Sequence, residues 1–251
     1  EAGKTLTPSP LFSTGVLGAS LLTLGGTDQQ KQTYLPQIVD GTLTTALALE
    51  ESNRHAPHSI ETVAKKSGDN FIISGTKNFV IDGHSSKLLI VAARTEGEKN
   101  DASGITLFLV ESDHQDVEIT KTSMVDSRNA ANIKFNDVSV SSENIIGEEN
   151  NGASVLEVVL DRAQIAISAE MLGNASQAFD LTLQYLKERK QFGAVIGTFQ
   201  ALQHRAAEMY SELELTKSSV IAACNAVDQN SNDLRRMASL AKFKSGETNP
   251  L

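Results

Sequence analysis

The sequence of 251 residues predicts an α+β multidomain chain: a helical piece, a middle antiparallel β-sandwich or barrel, and a C-terminal helical bundle. Two observations carry this. From about Leu43 to Val140, short apolar runs are punctuated by turn residues every dozen or so positions, and no helix-length period appears. After Glu148 the apolar period becomes three to four and is sustained through Ile165, Ala169, Leu172, Ser176, Phe179, Leu183 and Leu186. It resumes through Leu202, Ala206, Met209, Leu213, Thr216, Val220, Ala223 and Val227. Strands first and helices afterwards means segregated layers rather than a βαβ fold.

Residues 1–42 read as helical pieces joined by turns, too few to build a domain of their own. Pro8 and Pro10 mark the entry to a helix that Gly25-Gly26 ends, and Thr27 with Gln30 makes a capping box for the next one. Pro36 and Gly41 close the region. Leu11 to Leu24 is interrupted by Thr14, Gly18, Ser20 and Thr23 and follows no basic run, so it reads as a buried helix rather than a signal sequence. No stretch reaches the ~20 apolar residues of a membrane span.

Residues 43–147 form the β-domain, with strands around Phe71–Ser74, Leu88–Ala92, Ile105–Val110, Val117–Thr120 and Ala131–Phe135. Asp82-Gly83 reads as a tight hairpin turn. Residues 148–251 begin with a polar linker, Glu148 to Gly152, and continue as two long helices whose apolar stripes pack antiparallel. A third helix starts after Asn232 with Leu234, Met237, Ala238 and Ala241. Too few helices are present at either end to complete a domain, so the chain is expected to be truncated at both ends.

A net charge of -9 argues against nucleic acid, whose phosphates require a basic footprint. The single cysteine, Cys224, rules out an internal disulfide and fits a reducing cytoplasm; near the apolar stripe, it reads as a buried thiol. His55 and His58 lack a third ligand, so no metal site is expected. Glu50 and Glu51 are adjacent on an extended stretch and face opposite sides, which excludes a cooperating carboxylate pair. The sequence has no P-loop, dinucleotide glycine motif or nucleophile elbow.

Between the two long helices Gly193 and Gly197 break the period, and Thr198 is positioned to cap the second. Arg189, Gln191 and Phe192 therefore meet at the corner of a helical hairpin. A guanidinium fork, an amide and an aromatic ring suit a planar ligand carrying phosphate. Basic residues facing a helix C-terminal dipole are the other reading.

Glu188-Arg-Lys-Gln-Phe-Gly, then Ile196, Phe199-Gln200 and Gln203, resembles the signature of the acyl-CoA dehydrogenase family. Gly26-Thr-Asp-Gln-Gln-Lys with Tyr34-Leu-Pro resembles the end of the family's N-terminal helical domain, here residues 1–42, and Gly75-Thr-Lys-Asn-Phe-Val-Ile-Asp-Gly and Gly104-Ile-Thr-Leu-Phe-Leu-Val resemble its middle β-domain, in the right order. The resemblance implies FAD, an acyl-CoA substrate, α,β-desaturation, an electron-transfer flavoprotein as acceptor, and a homo- or hetero-oligomer, dimer or tetramer, in the cytoplasm. It implies that Arg189, Gln191, Phe192 and Gln200 hold the pyrophosphate and adenosine of a neighbouring subunit's flavin. Leu47, Leu49, Phe79 and Ile81 would line the other wall, each pair sharing a strand face.

The departures from the family pattern leave alternatives open. Ile81 stands where many members have a threonine near the flavin ring, Glu50 replaces a small hydroxyl residue, and a glycine-rich loop has become Arg54 to Ser59. No catalytic base is identified in this chain: most members carry it in sequence beyond Leu251, and the earlier position used by some aligns with Ala163, with Asp161 a poor substitute. A non-catalytic partner subunit of a heteromeric dehydrogenase, or a same-fold oxidase or monooxygenase, are the other readings.

Overall fold

A computed structural model describes residues 1–126 and 128–249. The helices are α1 (Ala2–Thr5), α2 (Ala19–Gly25), α3 (Asp28–Val39), α4 (Gly152–Glu188), α5 (Gln200–Asp228) and α6 (Leu234–Thr248). The strands are β1 (Thr45–Ala48), β2 (Val63–Ser67), β3 (Asn70–Ile81), β4 (Leu88–Arg94), β5 (Ile105–Glu111), β6 (Val117–Thr122), β7 (Ala130–Ser141), β8 (Ile145–Ile146), β9 (Lys190–Gln191) and β10 (Ala194–Val195). The chain divides into two compact units, Pro8–Leu160 and Glu1–Thr7 with Asp161–Leu251.

The first unit is built on one sheet in the order β6-β7-β3-β2-β4-β5-β8, mostly antiparallel, with β1 added parallel to β4. The sheet folds over a single apolar core: Phe71 and Ile73 of β3 and Ile133 and Phe135 of β7 meet Val91 of β4 and Phe108 of β5. The Phe71 and Phe108 rings lie 5.2 Å apart at 55°, a tilted aromatic contact. Sequence periodicity locates β3 to β7. It misses β1 and β2, because Thr-Ala-Leu-Ala and Val-Ala-Lys-Lys-Ser each hold a single β-branched residue and no aromatic one, too little to signal a strand.

Asp82-Gly83 is a turn but not a hairpin. β3 pairs with β2 and β7, so residues 82–87 carry the chain across to β4. The amides of Ser85 and Ser86 both donate to the Asp82 carbonyl. A two-residue hairpin stands instead at Gly68-Asp69, joining β2 to β3.

Leu11–Gly18 is π-helical and runs into α2, where a single regular helix is expected from the sequence. Ser13 and Thr14 face inward there: Ser13 Oγ donates to Asp82 Oδ2 at 2.5 Å, and Thr14 Oγ1 accepts from the Thr45 amide at 3.0 Å. A Cβ at Gly18 would fall 1.8 Å from Thr45 Oγ1, so only glycine permits this approach. The Thr27–Gln30 capping box is complete, and Gln30 Nε2 also donates to the carbonyls of Glu143 and Ile145.

In the second unit the predicted stripes meet. Ile165 of α4 packs with Val220 and Ala223 of α5 and Ala238 and Ala241 of α6. Further along the pair, the Phe179 and Tyr210 rings lie 6.1 Å apart. Cys224 is exposed, contrary to the buried thiol expected: at about 100° per residue it rotates off the stripe that Ala223 and Ala226 occupy. Among the described residues no helix is long and apolar enough to cross a membrane.

Candidate functional site

The corner between α4 and α5 is a miniature β-hairpin. β9 and β10 pair antiparallel, with Gln191 opposite Ala194 and Lys190 opposite Val195. The two turn residues, Phe192 at φ 54° and Gly193 at φ 77°, both have positive φ. This is the twist that a two-residue hairpin needs. For Gly193 the conformation is unstrained; for Phe192 the left-handed region costs about 1–2 kcal/mol. Phe192 is 94% exposed, and its ring meets that of Phe199 edge-on, with centroids 6.4 Å apart.

The hairpin is closed by the Ile196 amide, which donates to the Arg189 carbonyl at 2.9 Å. At its base a Cβ on Gly197 would lie 2.7 Å from the Leu186 carbonyl oxygen. Thr198 Oγ1 turns back to donate to the Val195 carbonyl, so it does not cap α5; Phe199 occupies the cap position.

Arg189, Gln191, Phe192 and Gln200 are all exposed. Arg189, Gln191 and Phe192 share the hairpin, and Gln200 opens α5 immediately beyond it. Gln191 Nε2 donates to the Lys190 carbonyl at 2.8 Å. Among the described residues the Arg189 guanidinium has neither an ion pair nor a hydrogen bond.

The other four candidates lie in the first unit. Leu47 is half-buried on β1 and Leu49 is buried just past its end. Phe79 and Ile81 flank buried Val80, and β3 bulges where Phe79 stands: Lys77 pairs with Ile133, and the next pair is Val80 with Ala131. Phe79 sits in the bulge at φ 53°, its amide donating to Asn132 Oδ1 at 3.0 Å and its ring 49% exposed. Ile81 lines a cavity of about 300 Å³ together with Pro10, Phe12, Asp82 and Asn129.

Glu50, a departure of concern, has its carboxylate engaged locally: Oε1 is 2.6 Å from His55 Nδ1 and Oε2 accepts from the Ala56 amide at 3.0 Å. His58 Nε2 lies 3.4 Å from Glu157 Oε1, and no group of three or more metal-ligating side chains occurs among the described residues. Ala163 is buried in α4 and offers no carboxylate.

The sequence reading missed a pair of buried cations. Lys77 is fully buried; its Nζ donates to Glu51 Oε1 at 2.7 Å and to the Leu49 carbonyl at 3.1 Å. Burial pushes its pKa down to about 8, partly offset by Glu51 and Glu50. Burial alone would raise the Glu51 carboxyl, but the Lys77 ammonium and hydrogen bonds from Thr62 and Glu61 bring it below its ordinary value. Arg94, also buried, donates to the carbonyls of His58, Lys99, Asp101 and Ser103. The available signal was phase: Lys77 falls on the same alternation as buried Phe71 and Ile73.

Residues 46–138 match the acyl-CoA dehydrogenase middle domain, and residues 150–249 match the acyl-CoA dehydrogenase C-terminal domain. The chain belongs to the acyl-CoA dehydrogenase family. The mitochondrial short/branched chain specific acyl-CoA dehydrogenase of Bos taurus is 31% identical over 225 residues, which is 88% of this chain and 52% of that protein. The short-chain specific acyl-CoA dehydrogenase of Clostridium acetobutylicum is 33% identical over 211 residues, 82% of this chain and 55% of that protein. The structure of butyryl-CoA dehydrogenase from Megasphaera elsdenii superposes with a TM-score of 0.91 at 29% identity, covering 99% of this chain and 65% of that one. The chain thus spans about half the length of these two curated relatives.

Proposed function

We propose that the protein is an FAD-dependent acyl-CoA dehydrogenase that desaturates the α,β bond of an acyl-CoA thioester. The observation that carries this reading is the hairpin, where an exposed Arg189, without a side-chain partner among the described residues, stands beside a strained, exposed Phe192. The donor set fits the cofactor: the guanidinium offers parallel N–H groups to a diphosphate, Gln191 and Gln200 add amides, and Phe192 offers an adenine-sized face. Flavin, when bound, supplies the hydride chemistry; the protein supplies orientation and exclusion of water. Leu47, Leu49, Phe79 and Ile81 would form the apolar wall on the β-domain, residues 43–147, and the hairpin of residues 148–251 would serve a neighbouring subunit's flavin.

The proton α to the thioester requires a carboxylate, which this reading assigns to sequence outside these 251 residues. The electron acceptor is an electron-transfer flavoprotein and the compartment is the cytoplasm. Acyl-CoA-dependent reduction of an artificial acceptor by the protein in its full natural length tests the reading. Flavin-loaded protein that is inert towards short, branched and long acyl-CoAs would reject it.

A second reading has its own support: Ile81 offers no hydroxyl, Ala163 no carboxylate, and the Glu50 carboxylate is tied to His55. Here the chain is a partner subunit whose hairpin completes the site of an unlike catalytic chain. Co-purified complexes with one flavin per unlike pair would favour it, and a full flavin complement in a homo-oligomer would exclude it.

A further inference from the structure

The stretch from Leu49 to Thr62 leaves β1 and returns to the sheet at β2, and it edges the proposed flavin wall. Its middle, Ser52 to His55, is exposed, while both ends are held from inside. At the entry, two consecutive β3 residues take three consecutive carbonyls: Lys77 Nζ donates to that of Leu49, the Asn78 amide to that of Glu50, and Asn78 Nδ2 to that of Glu51. At the exit, the Glu51 carboxylate accepts from the amides of Glu61 and Thr62. Lys77 therefore governs both ends, one directly and one through Glu51.

The same bulge connects this anchor to the wall. The skip in pairing between Lys77 and Val80 leaves Lys77 facing the core and puts Phe79 at positive φ with its ring outward. Displacing Lys77 would shift the Leu49 carbonyl on one side and the Phe79 ring on the other.

We propose that Lys77 is a positioning residue for the flavin, setting the loop of residues 50–61 and the Phe79 ring to the spacing the cofactor requires. This rests on the flavin-binding reading above. A purely structural buried pair would be replaceable by neutral side chains of similar size with no effect specific to the cofactor. The charged groups facing the ammonium are Glu51 and Glu50 from the stretch after β1 and Arg94 from β4.

Titration separates positioning from stability. The pKa of Lys77, about 8, lies below its ordinary 10.5. The unfolded chain therefore binds the extra proton between those values, and this group's contribution to folding stability rises as the pH climbs through that window. Flavin affinity should do the opposite, because the neutral amine is a weaker anchor for the Leu49 carbonyl and the Glu51 carboxylate.

The test is the flavin dissociation constant of the protein in its full natural length, followed by flavin fluorescence from about pH 7 to about pH 9.5. The wild type should weaken about tenfold across this range with no loss of folding stability. The Lys77→Met/Glu51→Gln variant, which removes both charges together, should bind about tenfold more weakly at pH 7 and show no titration near pH 8. A wild-type constant that is flat through pH 8, or a double variant that titrates as the wild type does, would overturn the assignment of Lys77 while leaving the flavin reading intact. A wild type that takes up no flavin at any pH overturns both. If the double variant does not fold, the wild-type curve alone decides.

Discussion

Two regions of the molecule use cations in opposite ways. In the β-sheet unit, Lys77 and Arg94 are buried and their donors go to carbonyls of neighbouring loops. On the hairpin between α4 and α5, Arg189 and Lys190 are exposed, and Arg189 has no partner among the described residues. A desolvated cation must be satisfied internally or it destabilises the fold, so Lys77 and Arg94 fix backbone. An exposed cation on a turn contributes little to folding and remains available to an anion. The strain at Phe192 points the same way, since an aromatic residue at positive φ confers no stability locally.

The largest expected effect lies in the sheet core. Phe108→Ala removes a fully buried ring that packs on Phe71 and should cost about 3–5 kcal/mol in urea unfolding of the protein in its full natural length. A loss below about 1 kcal/mol would mean the sheet is not the closed core described. Next, Thr27→Ala breaks the capping box of α3 and should cost about 1 kcal/mol, with flavin affinity unchanged. A matching fall in affinity would blur the division between framework and site. The smallest expected stability change is at the hairpin tip. Phe192→Asn suits positive φ better and should leave the melting temperature equal or slightly higher, while flavin affinity falls several-fold. A clear drop in melting temperature would make Phe192 a folding residue instead.

Much of the fold was legible because its signals are local. The three-to-four spacing from Ile165 to Val227 located both long helices, and Thr27 with Gln30 announced the start of α3. The parts that local periodicity does not carry depend on distant partners. β1 is a strand because Thr45–Ala48 pair with Leu88–Val91, not because alanine favours extension. The hairpin tip was read as a simple break between helices, since nothing in the local sequence predicts an aromatic residue at positive φ. Nothing in the sequence reading singled out Lys77, because lysine is so rarely buried that composition gives no reason to look for one in the core. Spacing and residue type brought Arg189, Gln191 and Phe192 to attention, the resemblance added Gln200, and the structure gathers the first three on one turn.

The central claim is that the Arg189 guanidinium is held ready for a dinucleotide's diphosphate. Equilibrium flavin titration of the wild type and of Arg189→Ala, with thermal unfolding of both, tests it most directly. The account predicts an affinity loss of about ten- to a hundredfold, with stability unchanged to within about 0.5 kcal/mol. Equal flavin affinity in the two proteins would contradict it.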